Sequence, residues 1–246
     1  ASVLAKGETK ISNAAREPEI EDLSNCLIKM GAKIEGHGTK TILVQGVTNL
    51  KKVEHQVISD RIVAGTYIIA ALMLNSSLEI KNFNTVYLKS LINILKKMGA
   101  KLKVNKNSIK VFKGSKLKST SLSTSPYPGF PTDLQAQLMS LMCISDGKSK
   151  IKETIFENRF MHVPELNRLG ANITVEKDTA TIIGNQTFKG AQVMASDLRA
   201  SISLVLAAMN ANGQTTLNRV YHLDRGYENI EKTLGSLGVK IKRQKN

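Results

Sequence analysis

Arginine is scarce in this chain, so its placement carries information. Only eight of the 35 basic residues are Arg: Arg16, Arg61, Arg159, Arg168, Arg199, Arg219, Arg225 and Arg243. Three of these stand in short polar stretches at element junctions. Arg159 lies in Phe156-Glu157-Asn158-Arg159-Phe160, Arg199 one turn into a helix that begins near Asp197, and Arg225 in Leu223-Asp224-Arg225-Gly226-Tyr227, where it opens the last helix. A planar guanidinium grips a carboxylate or phosphate through two parallel hydrogen bonds. One opposite charge at about 4 Å contributes on the order of 4 kcal/mol at an effective dielectric of about 20. Several converging Arg therefore suit a small polyanion. Position alone leaves a plainer reading open, in which each pairs structurally with Asp224, Asp197 or Glu157.

The acidic candidates carry a similar choice. Asp133 follows Pro126-Tyr127-Pro128-Gly129-Phe130-Pro131, which holds three of the five Pro. Such a rigid loop can fix a site against a helix N-terminus, where anions bind, or serve only as a connector. Asp133 suits a general base or a hydroxyl-orienting acceptor, and equally a helix cap. Glu17, in Ala14-Ala15-Arg16-Glu17-Pro18-Glu19, has the same two readings. His37, His55, His162 and His222 show no ligand spacing and read as structural. Cys26 and Cys143 fall within apolar helices and read as inert thiols. No Cys/His cluster has metal spacing, so no metal site is expected. Gly36-His37-Gly38 lacks the strand and helix that a dinucleotide fingerprint needs.

An internal repeat must position these residues. Four helix ends look alike, at Met30-Gly31-Ala32, Met98-Gly99-Ala100, Leu169-Gly170-Ala171 and Leu237-Gly238-Val239, with glycines spaced by 68, 71 and 68 residues. Gly fits a left-handed helix cap without a Cβ penalty. An alternating strand follows each Gly, and in the first three a second strand returns over 41–44, 108–111 and 180–183. Upstream, helices beginning near Asp60, Asp133 and Asp197, with Ser59, Thr132 and Ser196 as candidate caps, run apolar nearly all round and should be buried. A short strand comes next in each, near Ile80, Ile151 and Leu217. The unit is helix–strand–helix–strand–strand, an α/β module. The chain opens at Ala1 on only the tail of such a unit and ends at Lys240-Ile241-Lys242 before a return strand, which reads as a fragment of a longer protein.

Composition narrows the rest. With 41% apolar and 22% charged residues in 246, the chain is an ordinary globular one, and no apolar run reaches the length of a membrane span. Two Cys make no disulfide framework and point to a reducing, cytoplasmic setting. The net charge of +15 permits a basic nucleic-acid binder. However, 27 Lys spread along the chain without interleaved aromatics read as a solvent coat.

Six stretches, 13–20, 60–62, 126–137, 153–166, 197–200 and 221–228, resemble the UDP-N-acetylglucosamine 1-carboxyvinyltransferase family, the UDP-N-acetylglucosamine enolpyruvyl transferases. The likeness runs from Ala1 to Asn246 and corresponds to the C-terminal three-fifths of that family. It implies an α/β (α+β) fold, an inside-out α/β barrel of repeated βαβαββ units, incomplete at the N-terminus. Residues 1–57 would be the last, truncated unit of the first domain, and 58–246 a second domain of about three pseudo-symmetric units.

The resemblance also implies a reaction. The enolpyruvyl group of phosphoenolpyruvate would pass to the 3-hydroxyl of UDP-N-acetylglucosamine with release of phosphate, opening peptidoglycan synthesis, with no metal or other cofactor. By motif match, Asp133 would take the hydroxyl proton and contact the sugar, and Ile155 would contact the UDP-sugar through its backbone. Arg159 and Arg199 would hold the phosphoenolpyruvate carboxylate, and Arg225 would face the phosphate or the adduct. Asp197, Glu157 and Glu17 would be supporting carboxylates in the interdomain cleft. The family's acid–base Cys and a phosphate-binding Lys and Arg belong to an N-terminal portion that these 246 residues do not include. That segment is the expected partner, and little turnover is expected without it. Two alternatives stand beside this reading: a non-catalytic UDP-sugar-binding fragment, and a basic nucleic-acid-binding protein.

Overall fold

The computed structural model describes residues 1–244 and divides into two compact units. The first comprises Ala1–Asp60 with Pro126–Gly129, and the second Arg61–Ser125 with the chain from Phe130 onward.

In the first unit β1 (Glu8–Ser12) leads to α1 (Pro18–Lys29), then to β2 (Lys33–Glu35) and β3 (Thr41–Gln45). The sheet order is β1-β3-β2, antiparallel throughout. The alternating Ile42 and Val44 of β3 bury against Val3 and Ala32 in a small core. Pro18 opens α1, where its missing N–H is no loss.

The second unit repeats the plan. Its elements are α2 (Arg61–Met73), β4 (Leu78–Lys81), α3 (Lys89–Lys97), β5 (Leu102–Val104), β6 (Ser108–Val111), β7 (Ser121–Ser123), α4 (Gln135–Ile144), β8 (Lys148–Lys152), α5 (Val163–Arg168), β9 (Asn172–Glu176), β10 (Thr179–Ile183), β11 (Gln192–Met194), α6 (Leu198–Met209), β12 (Thr216–Asn218) and α7 (Ile230–Ser236). Sheets run β4-β6-β5 and β7-β8-β10-β9, with β11 pairing β12. β7 is parallel to β8, and β11 to β12, which supplies the leading strand of a βαβαββ unit. Those two three-residue strands escape a reading of periodicity because they are too short to show any.

Helices divide by burial as their sequences require. In α4, Leu138, Met139 and Leu141 are wholly buried, and α2 and α6 are buried nearly all round. α4 packs on both α2 and α6. Ser140 Oγ donates to the Ser203 carbonyl at 3.1 Å, and Asn210 Nδ2 to the Met73 carbonyl at 2.9 Å. By contrast α3 buries only Leu91, Ile92 and Leu95 and turns Lys96 and Lys97 outward. Three apolar helices thus lie inside and the sheets lie outside, with Lys148, Lys150 and Lys152 of β8 on the solvent face. Each fully buried Leu or Met contributes about 1.5–3 kcal/mol relative to exposure.

The four expected caps hold: Gly31, Gly99, Gly170 and Gly238 all have φ near +100°. Three expectations need correction. The helix after the Pro-rich loop starts at Gln135, because Thr132–Leu134 form a 3₁₀ turn first. Asp197, not Ser196, caps α6, accepting the Arg199 and Ala200 N–H groups at 2.7 and 2.9 Å. Val239-Lys240-Ile241 forms no strand. β2, β5 and β9 each pair with a return strand, and no strand follows Ile241 among the described residues to offer a ladder.

A glycine crossing recurs in two repeats. After β10 the Gly184 N–H donates to Gly147 O at 2.8 Å, and after β3 the Gly46 N–H donates to Gly7 O at 2.9 Å. A Cβ on Gly184 would stand 1.8 Å from the Ser145 carbonyl oxygen. That neighbour is backbone and cannot rotate away. Gly184→Ala should therefore destabilise the chain by about 1–3 kcal/mol or more, read as a lower urea midpoint at unchanged slope.

Candidate functional site

The 3₁₀ turn Thr132–Leu134 frees Asp133 from capping duty, since its carboxylate makes no cap bond to α4. Instead its Oδ1 takes two guanidinium donors. Arg159 Nη2 approaches to 2.5 Å and Arg199 Nε to 3.1 Å. Both guanidinium groups thus meet at Asp133, a partner that their place in the sequence did not point to. Asp197 caps α6 and so fixes the turn from which Arg199 reaches Asp133.

Arg159 is the better enclosed of the pair, its side chain 11% exposed against 41% for Asp133. Its Nε also donates to the Thr132 carbonyl at 3.4 Å. The guanidinium lies 5.0 Å from the centre of the Phe156 ring, a favourable cation–π contact. The loop that carries it lines a cleft of about 990 Å³, together with Glu153, Ile155, Glu157 and Lys177. A cleft of this size suits a small ligand.

The electrostatics follow the geometry. Burial pushes the Asp133 pKa up, but hydrogen bonds and charge from Arg199 and Arg159 outweigh it and hold the carboxyl below its ordinary value. Nearby His162 is wholly buried, its Nε2 3.3 Å from Met139 Sδ. Burial pushes its imidazole down to about 4 against the opposing charge of Asp197. Cys143, buried in α4, is pushed up to about 12, so its thiol stays protonated at neutral pH.

The other candidates sit elsewhere. Ile155 is exposed, and its N–H donates to Glu153 Oε1 at 2.9 Å. Glu157 is exposed on the same loop. Arg225 does not open α7 but closes a 3₁₀ turn, Val220–Arg225, and is exposed. Gly226 and the left-handed Asn229 interrupt the chain before α7 starts at Ile230. Asp224 pairs with Arg243, not Arg225. Glu17 lies in the other unit, where its carbonyl receives the Ile20 N–H at 2.9 Å at the start of α1. Among the described residues no His, Cys, Asp and Glu gather into a possible metal site, and no helix is long and apolar enough to cross a membrane.

Residues 1–234 match the family model of EPSP synthase (3-phosphoshikimate 1-carboxyvinyltransferase). The chain belongs to this family of enolpyruvyl transferases. It is 53% identical over 243 residues to the UDP-N-acetylglucosamine 1-carboxyvinyltransferase of Pelagibacter ubique, covering 99% of this chain and 58% of that relative. The protein of the same name from Azorhizobium caulinodans is 54% identical over 244 residues, covering 99% and 57%. Among solved structures, the enolpyruvyl transferase NikO from Streptomyces tendae superposes with a TM-score of 0.89 at 28% identity, over 98% of this chain and 58% of that one. An EPSP synthase from Acinetobacter baumannii, at TM-score 0.76 and 19% identity over 99% of this chain and 59% of that one, shares the fold. The chain thus spans a little under three-fifths of the length of these curated relatives.

Two features of this member of the family were not singled out from sequence. The first is Glu153, a buried acid at the end of β8. The second is a buried polar chain below Asp133. Gln137 Nε2 donates to the Asp133 carbonyl at 2.9 Å and to Thr66 Oγ1 at 3.2 Å, and Thr66 Oγ1 lies 2.8 Å from the Tyr227 hydroxyl. It links α2, α4 and the segment after Arg225. A Gln inside an otherwise apolar helix was the available signal.

The pKa shifts give a testable pH profile. Asp133, depressed in the fold, supports stability above the ordinary carboxylate pKa and loses that support as pH falls through its lower folded value. Its NMR titration midpoint should lie below that of free Asp and rise in Arg199→Ala. His162 works in another window. The unfolded imidazole binds its proton near pH 6.5 and the folded one only near 4, so stability falls as pH drops through that range. His162→Gln should shrink the loss of melting temperature between those two pH values.

Proposed function

We propose that this chain forms the greater part of an enzyme that transfers the enolpyruvyl group of phosphoenolpyruvate to the 3-hydroxyl of UDP-N-acetylglucosamine and releases phosphate. One observation carries the reading: Arg159 and Arg199 converge on one carboxylate oxygen, in a chain more than half identical to relatives bearing that name. In this reading residues 1–57 end one domain and 58–246 form most of another.

The geometry suggests an order of events. Asp133 occupies the two guanidinium groups where the carboxylate of phosphoenolpyruvate would bind. A carboxylate held below its ordinary pKa is a weaker base than a free one. When the substrate carboxylate takes over Arg159 and Arg199, the stabilising donors leave Asp133, and its affinity for the sugar hydroxyl proton rises. The Ile155 carbonyl remains for the UDP-sugar, since its N–H is held by Glu153. Arg225, exposed at the end of its turn, would meet the phosphate or the adduct, and Asp197, Glu157 and Glu17 would support. Fixed charges that face developing charge lower the barrier without reorganising. Both substrates are phosphorylated metabolites that do not cross membranes, which fits a cytoplasmic step at the start of cell-wall synthesis.

The test uses the enzyme encoded by the full reading frame that contains this chain. Arg159→Ala should cut kcat/KM for phosphoenolpyruvate by about 10- to 150-fold, the value of one charged hydrogen-bonded contact. Arg168→Ala, which removes only an exposed partner of Glu165, should leave it unchanged. Equal behaviour of the two variants would sink the reading. The 246 residues alone, mixed with both substrates, should release no phosphate; robust release would remove the need for any further segment.

A further inference from the structure

Glu153 is only 6% exposed. A carboxylate at that depth is stable only with a full set of donors. It has four. Oε1 accepts the Thr124 hydroxyl at 2.7 Å and the N–H groups of Ile155 and Phe156 at 2.9 and 3.2 Å, and Oε2 accepts the Thr132 hydroxyl at 2.9 Å.

Both oxygens lead to Arg159. On one side, the Thr132 carbonyl receives Arg159 Nε and the next residue, Asp133, receives Nη2. On the other, Phe156 lays its ring against the same guanidinium. Two walls of the Arg159 socket come from separate segments of chain, and one carboxylate ties both of them. Without it, Thr132 and Phe156 have no shared reference point, and the guanidinium loses its fixed angle to Asp133.

We propose that Glu153 is a positioning residue that sets Arg159 against Asp133 and so aligns the carboxylate of the acidic substrate. The proposal rests on the reading of Arg159 as the carboxylate holder. The charge itself matters less than the acceptor geometry. In Glu153→Gln, Oε1 can still accept its three donors, and Nε2 can donate to the Thr132 hydroxyl, which rotates to accept.

The experiment is a set of double-mutant cycles in the full-length enzyme, reading kcat/KM for phosphoenolpyruvate with UDP-N-acetylglucosamine saturating. Glu153→Ala, Glu153→Gln and Thr132→Val are each made alone and with Arg159→Ala. Alone, Glu153→Ala should lower kcat/KM by about 10- to 100-fold and Thr132→Val by about 3- to 10-fold, while Glu153→Gln stays within about 3-fold of the parent. In the Arg159→Ala background the losses should shrink below about 2-fold, because the residue acted upon is gone. Thr132→Val keeps side-chain volume and completes the cycle if Glu153→Ala does not fold. Equal losses in both backgrounds would overturn the proposal, as would no loss in either single variant beside a crippled Arg159→Ala. An Arg159→Ala enzyme with undiminished kcat/KM would overturn the parent reading and this proposal with it.

Discussion

Two positive guanidinium groups held a few ångströms apart repel unless something negative stands between them, and here that something is one oxygen of Asp133. Most of the second unit can be understood as the means of keeping that oxygen in place. Asp133 comes from a 3₁₀ turn ahead of an inner helix, Arg159 from a loop after an outer strand, and Arg199 from the first turn of another inner helix. No two of these are neighbours in sequence. Only the packing of α4 on α6, with the β7-β8-β10-β9 sheet outside, brings them within hydrogen-bonding distance.

That packing leaves polar groups little access to water. A polar side chain within the inner helices gains by finding a partner there, which Gln135 at the start of α4 does not, both its amide atoms being buried and unpaired. Gln137, Thr66 and Tyr227 find one another, and the chain they form ends on the Asp133 carbonyl. The residue that organises the site is therefore held at its main-chain carbonyl by Gln137 as well as at its carboxylate by the two arginines. The three inner helices answer the same structural need differently. Asp197 stabilises its own helix, whereas Asp133, at the matching point of the preceding repeat, is left to the arginines.

Much of this was legible in the residues. The Gly-ended helices, the returning strands and the apolar inner helices follow from spacing and periodicity, because those patterns are properties of local backbone and burial. The convergence of Arg159 and Arg199 was legible only as a possibility. Their partner was not legible at all, since Asp197 and Glu157 are nearer in sequence and Asp133 is nearer only in space. Glu153 escaped notice because one acid at the end of a Lys-rich strand looks like surface. Its burial is decided by Thr124 and Thr132, two hydroxyls from another segment. Among the basic residues, the Lys of β8 lie on the solvent face, whereas Arg159 and Arg199 are drawn inward.

Asp133 makes the site its own counter-ion reservoir. An anion arriving at solvated arginines must strip away dissolved ions, and its affinity then follows the salt concentration. Here one neutralising charge is covalently part of the chain and is already in position, so in the reading proposed above an incoming carboxylate would exchange with an internal one. Such a site would follow ionic strength less closely than bare arginines would, although the chain carries a net charge of +15.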